Sequence, residues 1–138
     1  MSKIYVLDAC AVIAALSNEK GADMVVNAYN EASSGNAKII MNIINLLEVY
    51  YDDYRVHGKV SADKMLESIM TFPTTIISEI KQDIFAEAGR LKSTYKISLA
   101  DSIVLAQTIV MKGSLLTCDH HEFDAIEGKE PLKFHWIR

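Results

Sequence analysis

The chain has 138 residues, 50% of them hydrophobic and 23% charged, with 14 Lys and Arg against 18 Asp and Glu and a formal net charge of −4 at pH 7. That composition excludes intrinsic disorder and leads us to expect one globular domain across residues 1–138, long enough to bury a core without disulfides or a structural metal. The longest apolar run, Ala9 to Leu16, falls far short of the roughly 20 residues of a membrane-spanning helix, and the acidic balance argues against a broad basic face for nucleic acid.

Ile4 to Leu7 is a short apolar segment that reads as a buried strand, running through Asp8 into an alanine-rich helix. Lys3 ahead of that apolar run imitates a secretory signal, and Leu7-Asp8-Ala9-Cys10 imitates a lipoprotein cleavage box. The Asp8 carboxylate is costly in such a segment, so the expected location is the cytoplasm. Cys10 and Cys118 are accordingly expected as reduced thiols, and neither has a second cysteine at zinc-ligand spacing. Gly21 breaks the pattern, after which Ala22, Val25, Val26, Tyr29 and Ala32 recur at helical spacing until Ser33-Ser34-Gly35-Asn36.

Lys38 to Met41 reads as the second strand, and Asn45 to His57 as a helix ended by Gly58. Ser61 is placed to cap a further helix carrying Met65, Leu66, Ile69 and Met70, with Pro73 just beyond it. Thr74 to Ile77 predicts a third strand, and Ile80, Ile84, Ala88, Leu91 and Tyr95 mark an amphipathic helix. Ser98 then opens a helix that is apolar nearly all round, and Gly113 ends it. Ser114 to Cys118 predicts a fourth strand, Asp119 to Glu122 a polar loop, and Leu132 to Ile137 a last strand. Strands separated by helices imply an α/β fold in three α/β/α layers around a mostly parallel sheet. Its ligand crevice should lie at the carboxyl ends of the strands, near the topological switch point.

Four acidic residues fall where that crevice should be. Asp8 ends the first strand, Asp119 follows the fourth, and Glu48 and Asp101 each stand three residues after a polar residue that can start a helix. Taken singly, each has an ordinary structural role, since Asn45 with Glu48 and Ser98 with Asp101 fit capping boxes, Asp8 an N-cap and Asp119 a turn. Together they are more informative, because Asp8 and Asp101 sit in strongly apolar sequence where a carboxylate needs partners or a cation to offset its desolvation. Such a set would repel itself without divalent cations. Oxygen-only ligands suit Mg²⁺ or Mn²⁺, whose natural chemistry here is phosphodiester hydrolysis without a covalent nucleophile.

The segments LDACAVIAAL, NLLEVYYD, SLADSIVLA and LLTCDHHEFD, in that order, resemble the PIN-domain nucleases, in particular the VapC type of toxin ribonuclease from toxin–antitoxin pairs. The resemblance covers essentially the whole chain. It implies a PIN-like fold and a metal-dependent endoribonuclease leaving a 5′-phosphate and a 3′-hydroxyl. It makes Asp8, Glu48, Asp101 and Asp119 both the catalytic and the Mg²⁺ or Mn²⁺ ligand set, with Thr117 as a supporting hydroxyl. It further implies a homodimer and a cognate antitoxin protein that inserts near the acidic crevice. Cys10 departs from the pattern, because the family more often has Ser or Thr two residues after the first Asp.

The alternative is a PIN-like binding or scaffolding module that is catalytically silent. Aspartate-nucleophile phosphatases and phospho-acceptor receiver domains fit poorly, since Asp8-Ala-Cys10 lacks the second Asp of the former and no acidic pair serves the latter. His120 and His121 adjoin Asp119 and could touch a phosphate, although adjacent loop histidines are more often simply solvated. Asp124 is available as an outer-shell acid, but DAIEG also reads as a helix start, so Asp124 stands outside the core site, and Phe123 reads as a packing anchor. Tyr50, Tyr51 and Tyr54 read as a helix-packing face. Arg55, Lys59, Arg90, Lys92 and Lys96 are the basic residues available to track an RNA backbone. With few aromatics and no motif for duplex grooves, the expected substrate is an exposed single-stranded stretch of RNA.

Overall fold

A computed structural model describes residues 3–138. The chain forms β1 (Lys3–Leu7), α1 (Ala9–Leu16), α2 (Ala22–Ser33), β2 (Ala37–Asn42), α3 (Ile43–His57) and α4 (Lys59–Met70), then β3 (Thr75–Ile77), α5 (Gln82–Thr94), α6 (Leu99–Met111), β4 (Ser114–Thr117), α7 (His120–Phe123) and β5 (Lys133–Trp136). The five strands make one sheet in the order β3-β2-β1-β4-β5, and every neighbouring pair is parallel. The chain first builds outward from β1 through β2 to β3, then crosses back to β4 on the other side of β1. The switch point therefore lies between β1 and β4, where Leu7 stands beside Leu116.

Side-chain alternation explains why these strands are central. Tyr5, Leu7 and Leu116 pack on one face with Val12, Val25, Tyr29, Leu46, Val49 and Ile69 of the α1–α4 layer. Val6 and Leu115 pack on the other with Ile84, Leu91, Ile103, Val104 and Phe123. Successive residues of a strand point to opposite faces, so a strand covered on both sides is apolar throughout. Helix α6 is the buried helix that its sequence predicts, with Ala100 and Ser102 through Thr108 all inside. Phe123 is fully buried, as expected of a packing anchor.

Several boundaries differ from the sequence reading. Ser61 caps nothing: α4 begins at Lys59, directly after Gly58 at φ +87°, and the Ser61 hydroxyl donates instead to Asp53 at 2.7 Å. Helix α6 ends on Lys112 in the left-handed conformation, φ +55°, rather than on Gly113. Gly113 serves the close approach to β1, where an added Cβ would lie 3.0 Å from the Ile4 carbonyl oxygen. The loop expected from Asp119 to Glu122 closes into the one-turn helix α7, because the Asp119 side chain accepts from the Glu122 N–H at 3.2 Å. Asp124 ends that turn rather than starting a helix.

Cys10 and Cys118 are joined in a disulfide, with their Cα atoms 6.1 Å apart, which corrects the expectation of two free thiols. They are separated by 108 positions, so spacing gave no sign of the pair. Each follows the end of one of two adjacent strands, and the topology alone brings them together.

Candidate active site

Asp8 and Asp119 are set by the switch point. The last residue of β1 hands Asp8 to the N-cap of α1, where its Oδ1 accepts from the Ala11 N–H at 3.0 Å. Its Oδ2 accepts from the Thr117 hydroxyl at 2.5 Å, and Thr117 Oγ1 in turn accepts from the Asp119 N–H at 3.0 Å. One buried hydroxyl thus links the ends of β1 and β4. Thr117 thus contacts the Asp8 carboxylate on one side and the Asp119 backbone on the other.

Glu48 and Asp101 arrive on helices. Ser98 caps α6 by accepting from the Asp101 N–H at 3.1 Å, so Asp101 stands in the first turn as its capping-box spacing predicts. Glu48 stands one turn further along its helix than expected. The cap of α3 is Asn42, which accepts from the Ile44 N–H at 2.9 Å, and Asn45 is already helical. Asn45 turns inward and donates to the Ala100 carbonyl at 3.1 Å, docking α3 against the first turn of α6 one residue before Asp101.

The four carboxyl groups feel one another. Burial pushes the Asp8 carboxyl up to about 7, and the charges of Asp101 and Asp119 push in the same direction against the Thr117 and Ala11 hydrogen bonds. Burial likewise pushes Asp101 up to about 6, with Asp119, Glu48 and Glu122 adding to the rise and Ser98 opposing it. Glu48 is raised by burial, the Asn45 amide opposes the rise, and the charges of Asp52 and Asp119 add to it. These mutual effects run among Asp8, Glu48, Asp101 and Asp119, which four separate segments bring to one edge of the sheet.

Further polar residues complete the setting, of which the sequence reading passed over Asn42 and Gln107. Asn42 and Gln107, both buried, hydrogen-bond at 3.1 Å and tie the end of β2 to the middle of α6. Their signal was available, since Gln107 is a polar residue inside an otherwise apolar helix. Asn45 leaves its Oδ1 buried without a partner, and Glu122 contributes charge that reaches Asp101.

The neighbouring histidines are dissimilar. His120 stacks on Trp136 with ring centroids 3.8 Å apart, and its two ring nitrogens meet the Asp124 carboxylate at 2.7 Å and the Arg138 carbonyl at 2.8 Å. The His121 side chain is 93% exposed. Tyr50 donates to Asp63 at 2.6 Å, whereas Tyr51 and Tyr54 are exposed, so the tyrosines are only in part a packing face. Of the basic residues, Arg55 pairs with Asp52, Lys59 with Asp63 and Arg90 with Glu87 and Glu130. These pairs draw the positive charge away from a continuous track.

An oxygen-only donor set with one carboxylate buried and three half-buried fits a hard divalent cation. Among the described residues no three His, Cys, Asp or Glu side chains close into a cage by themselves. Mg²⁺ is ordinarily held by one or two carboxylates, with waters and substrate phosphate oxygens filling its shell. Residues of this site fit that open mode of binding.

Comparison with known proteins agrees with this architecture. VapBC2 from Rickettsia felis, solved bound to a DNA fragment from its promoter, superposes with a TM-score of 0.75 at 21% identity, covering 96% of this chain and 98% of that one. VapBC-1 from nontypeable Haemophilus influenzae gives 0.71 at 18% identity, over 97% and 98% of the two chains. The VapC20 toxin of Mycobacterium tuberculosis, described as cleaving the sarcin-ricin loop, gives 0.65 at 12% identity, over 90% and 95%. At these identities the likeness is one of fold. No curated protein sequence matches the chain. The profile of the PIN domain matches residues 5–129, nearly the whole length, and the chain belongs to the PIN domain family.

Proposed function

We propose that the chain is a Mg²⁺- or Mn²⁺-dependent endoribonuclease, a single PIN domain over residues 1–138 that acts as the toxin of a toxin–antitoxin pair. The observation that carries this reading is the placement of Asp8, Asp119, Asp101 and Glu48 after strand ends and on adjoining helix turns at one edge of the sheet, with Thr117 joining the Asp8 carboxylate to the Asp119 backbone. Holding acids partly out of water at one edge is unfavourable for folding, and cation binding with phosphoryl chemistry is a function that offsets it. Solved VapBC proteins with the same fold, and a toxin-antitoxin complex from Klebsiella pneumoniae, support an antitoxin partner. The family resemblance adds a homodimer, the cytoplasm and an RNA substrate. Among the described residues no helix is long and apolar enough to cross a membrane.

In this reading Asp8, Asp119, Asp101 and Glu48 are the residues that would hold the cation. A bound divalent cation supplies charge neutralisation at the scissile phosphate and activates water. Thr117 fixes the direction of Asp8 through its hydroxyl, and Ser98 and Asn45 set the helix turns that carry Asp101 and Glu48. The RNA is single-stranded at the cut, where a splayed backbone reaches a crevice with no groove-reading element.

A silent binding module is the second reading, favoured by the carboxylates not closing into a cage among the described residues. Labelled loop-containing RNA, its duplexed counterpart and single-stranded DNA, each incubated with Mn²⁺ or with chelator, separate the two. Cutting of the loop RNA with Mn²⁺, abolished by chelator and by Asp101→Asn, is the expected result. Preferential cutting of duplex, or equal cutting in chelator, overturns the mechanism. Mn²⁺ binding without cleavage of RNA by either the wild type or Asp101→Asn supports the silent module.

A further inference from the structure

The Cys10–Cys118 disulfide joins the segments that carry Asp8 and Asp119. Cys10 is two residues after Asp8 in the first turn of α1, and Cys118 sits between Thr117 and Asp119. Its bridge therefore ties together the two strand ends that carry the central acids. Both cysteines are half-buried rather than enclosed in the core. In the bridged form Asp8 is 5% exposed, with one oxygen engaged by the Ala11 N–H and the other by the Thr117 hydroxyl. Both Asp8 oxygens are thus already engaged, and the bridge ties the first turn of α1, which carries the Ala11 donor, to the end of β4, which carries the Thr117 donor.

We propose that Cys10 and Cys118 form a reversible dithiol–disulfide site that governs the acidic crevice, the bridged form withholding Asp8 and the reduced form releasing it to a divalent cation. This inference rests on the nuclease reading and supplies its regulation. The co-reactant is a low-molecular-weight thiol–disulfide couple of the glutathione class. On oxidation the small disulfide breaks as the Cys10–Cys118 bond forms, and two small thiols leave carrying the two protons and two electrons of the cysteine thiols. Reduction is the reverse exchange. Position 10 is where the family resemblance leads one to expect Ser or Thr, so the device belongs to this chain rather than to the pattern.

The test equilibrates the purified chain in glutathione buffers of defined oxidised-to-reduced ratio, without metal. Thiol state is read by alkylation and intact mass, and Mn²⁺ is then titrated calorimetrically after the redox buffer is removed under anaerobic conditions. The expected result is a bridge that forms and breaks with the buffer, with Mn²⁺ binding about tenfold tighter in the reduced form, the size of effect typical of groups that orient metal ligands. Cys10→Ser and, separately, Cys118→Ala should bind Mn²⁺ as the reduced form does and ignore the buffer. Free thiols at every ratio, equal Mn²⁺ affinity in the two forms, or a single-cysteine variant that still responds would each overturn the redox proposal and leave the nuclease reading intact. Absence of Mn²⁺ binding in both forms would overturn the two together.

Discussion

Replacing Asp8 by Asn removes a charge while keeping the shape of the side chain, and so isolates what the buried carboxylate costs. A rise of the carboxyl from 3.8 to about 7 corresponds to on the order of 4 kcal/mol against the ionised form. The sign follows from the direction of the shift. Below about pH 4 the group is protonated in both the folded and the unfolded chain, so it costs nothing. As pH rises, the unfolded chain ionises first, and the stability contributed by the neutral buried acid is lost until the folded group ionises near pH 7. Metal-free wild type should therefore lose stability from this group between about pH 4 and 7. The amide introduced by Asp8→Asn keeps the bond from the Ala11 N–H but obliges Thr117 to turn its hydroxyl, and bonds to a charged acceptor are the stronger ones. The expected net gain for Asp8→Asn at pH 8 in chelator is about 2 kcal/mol, or roughly 6–10 °C in Tm for a chain of this length. Thermal melts across pH 4.5 to 8 (about the range between the two ionisations), with chelator or with Mn²⁺, provide the assay. A variant less stable than wild type at pH 8, or one whose gain is the same at both ends of the range, would refute the electrostatic account of Asp8.

Asp101→Asn should abolish RNA cleavage and Mn²⁺-dependent stabilisation while raising Tm in chelator, because it removes a carboxyl held up at about 6; comparison of melts with and without Mn²⁺ checks it. Thr117→Val leaves Asp8 Oδ2 and the Asp119 N–H without their partner, for a destabilisation of about 1–3 kcal/mol by urea unfolding, and it should move the Asp8 titration upward in NMR. Gly21→Ala meets both a φ of +96° and the Ile137 carbonyl, so a loss of about 2 kcal/mol or more is expected in the same unfolding assay.

The strand–helix alternation was legible because burial on two faces writes itself into sequence. Ile4 to Leu7 is apolar at consecutive positions and Ser114 to Cys118 has Leu115 and Leu116 adjacent at its centre, which is what central parallel strands require, and both strands appear within a residue of their expected bounds. The Ser98 cap was legible because its partner lies three residues away. The Asn45 cap was misread for the opposite reason. Asn45 and Glu48 have the local spacing of a capping box, but Asn45 is claimed by the Ala100 carbonyl, 55 positions distant, and the helix starts earlier at Asn42. A tertiary contact of that separation leaves no local pattern. The disulfide was invisible on the same grounds, and so was the pairing of Arg90 with Glu130 across 40 positions, which turns a candidate RNA contact into a support for the loop before β5.

The order of strands explains why so much of the site depends on one hydroxyl. With β1 and β4 adjacent and parallel, the residues that follow them leave the sheet at the same level, and Asp8 and Asp119 are brought near each other by backbone pairing before any side chain acts. Two acids in that position repel, and a hydrophobic strand end offers nothing to separate them. Thr117 resolves the conflict by pointing its donor at Asp8 and its acceptor at the Asp119 N–H, so that one carboxylate is drawn inward while the other chain segment is held by its backbone. Asp8 thereby becomes the more buried of the two, whereas Asp119 remains partly exposed at the cap of α7. Asp119 is consequently the more accessible of the pair. A divalent cation held by these two residues would compete with the Thr117 hydroxyl for the Asp8 carboxylate, so the strength of that one hydrogen bond would bear directly on the affinity of the site.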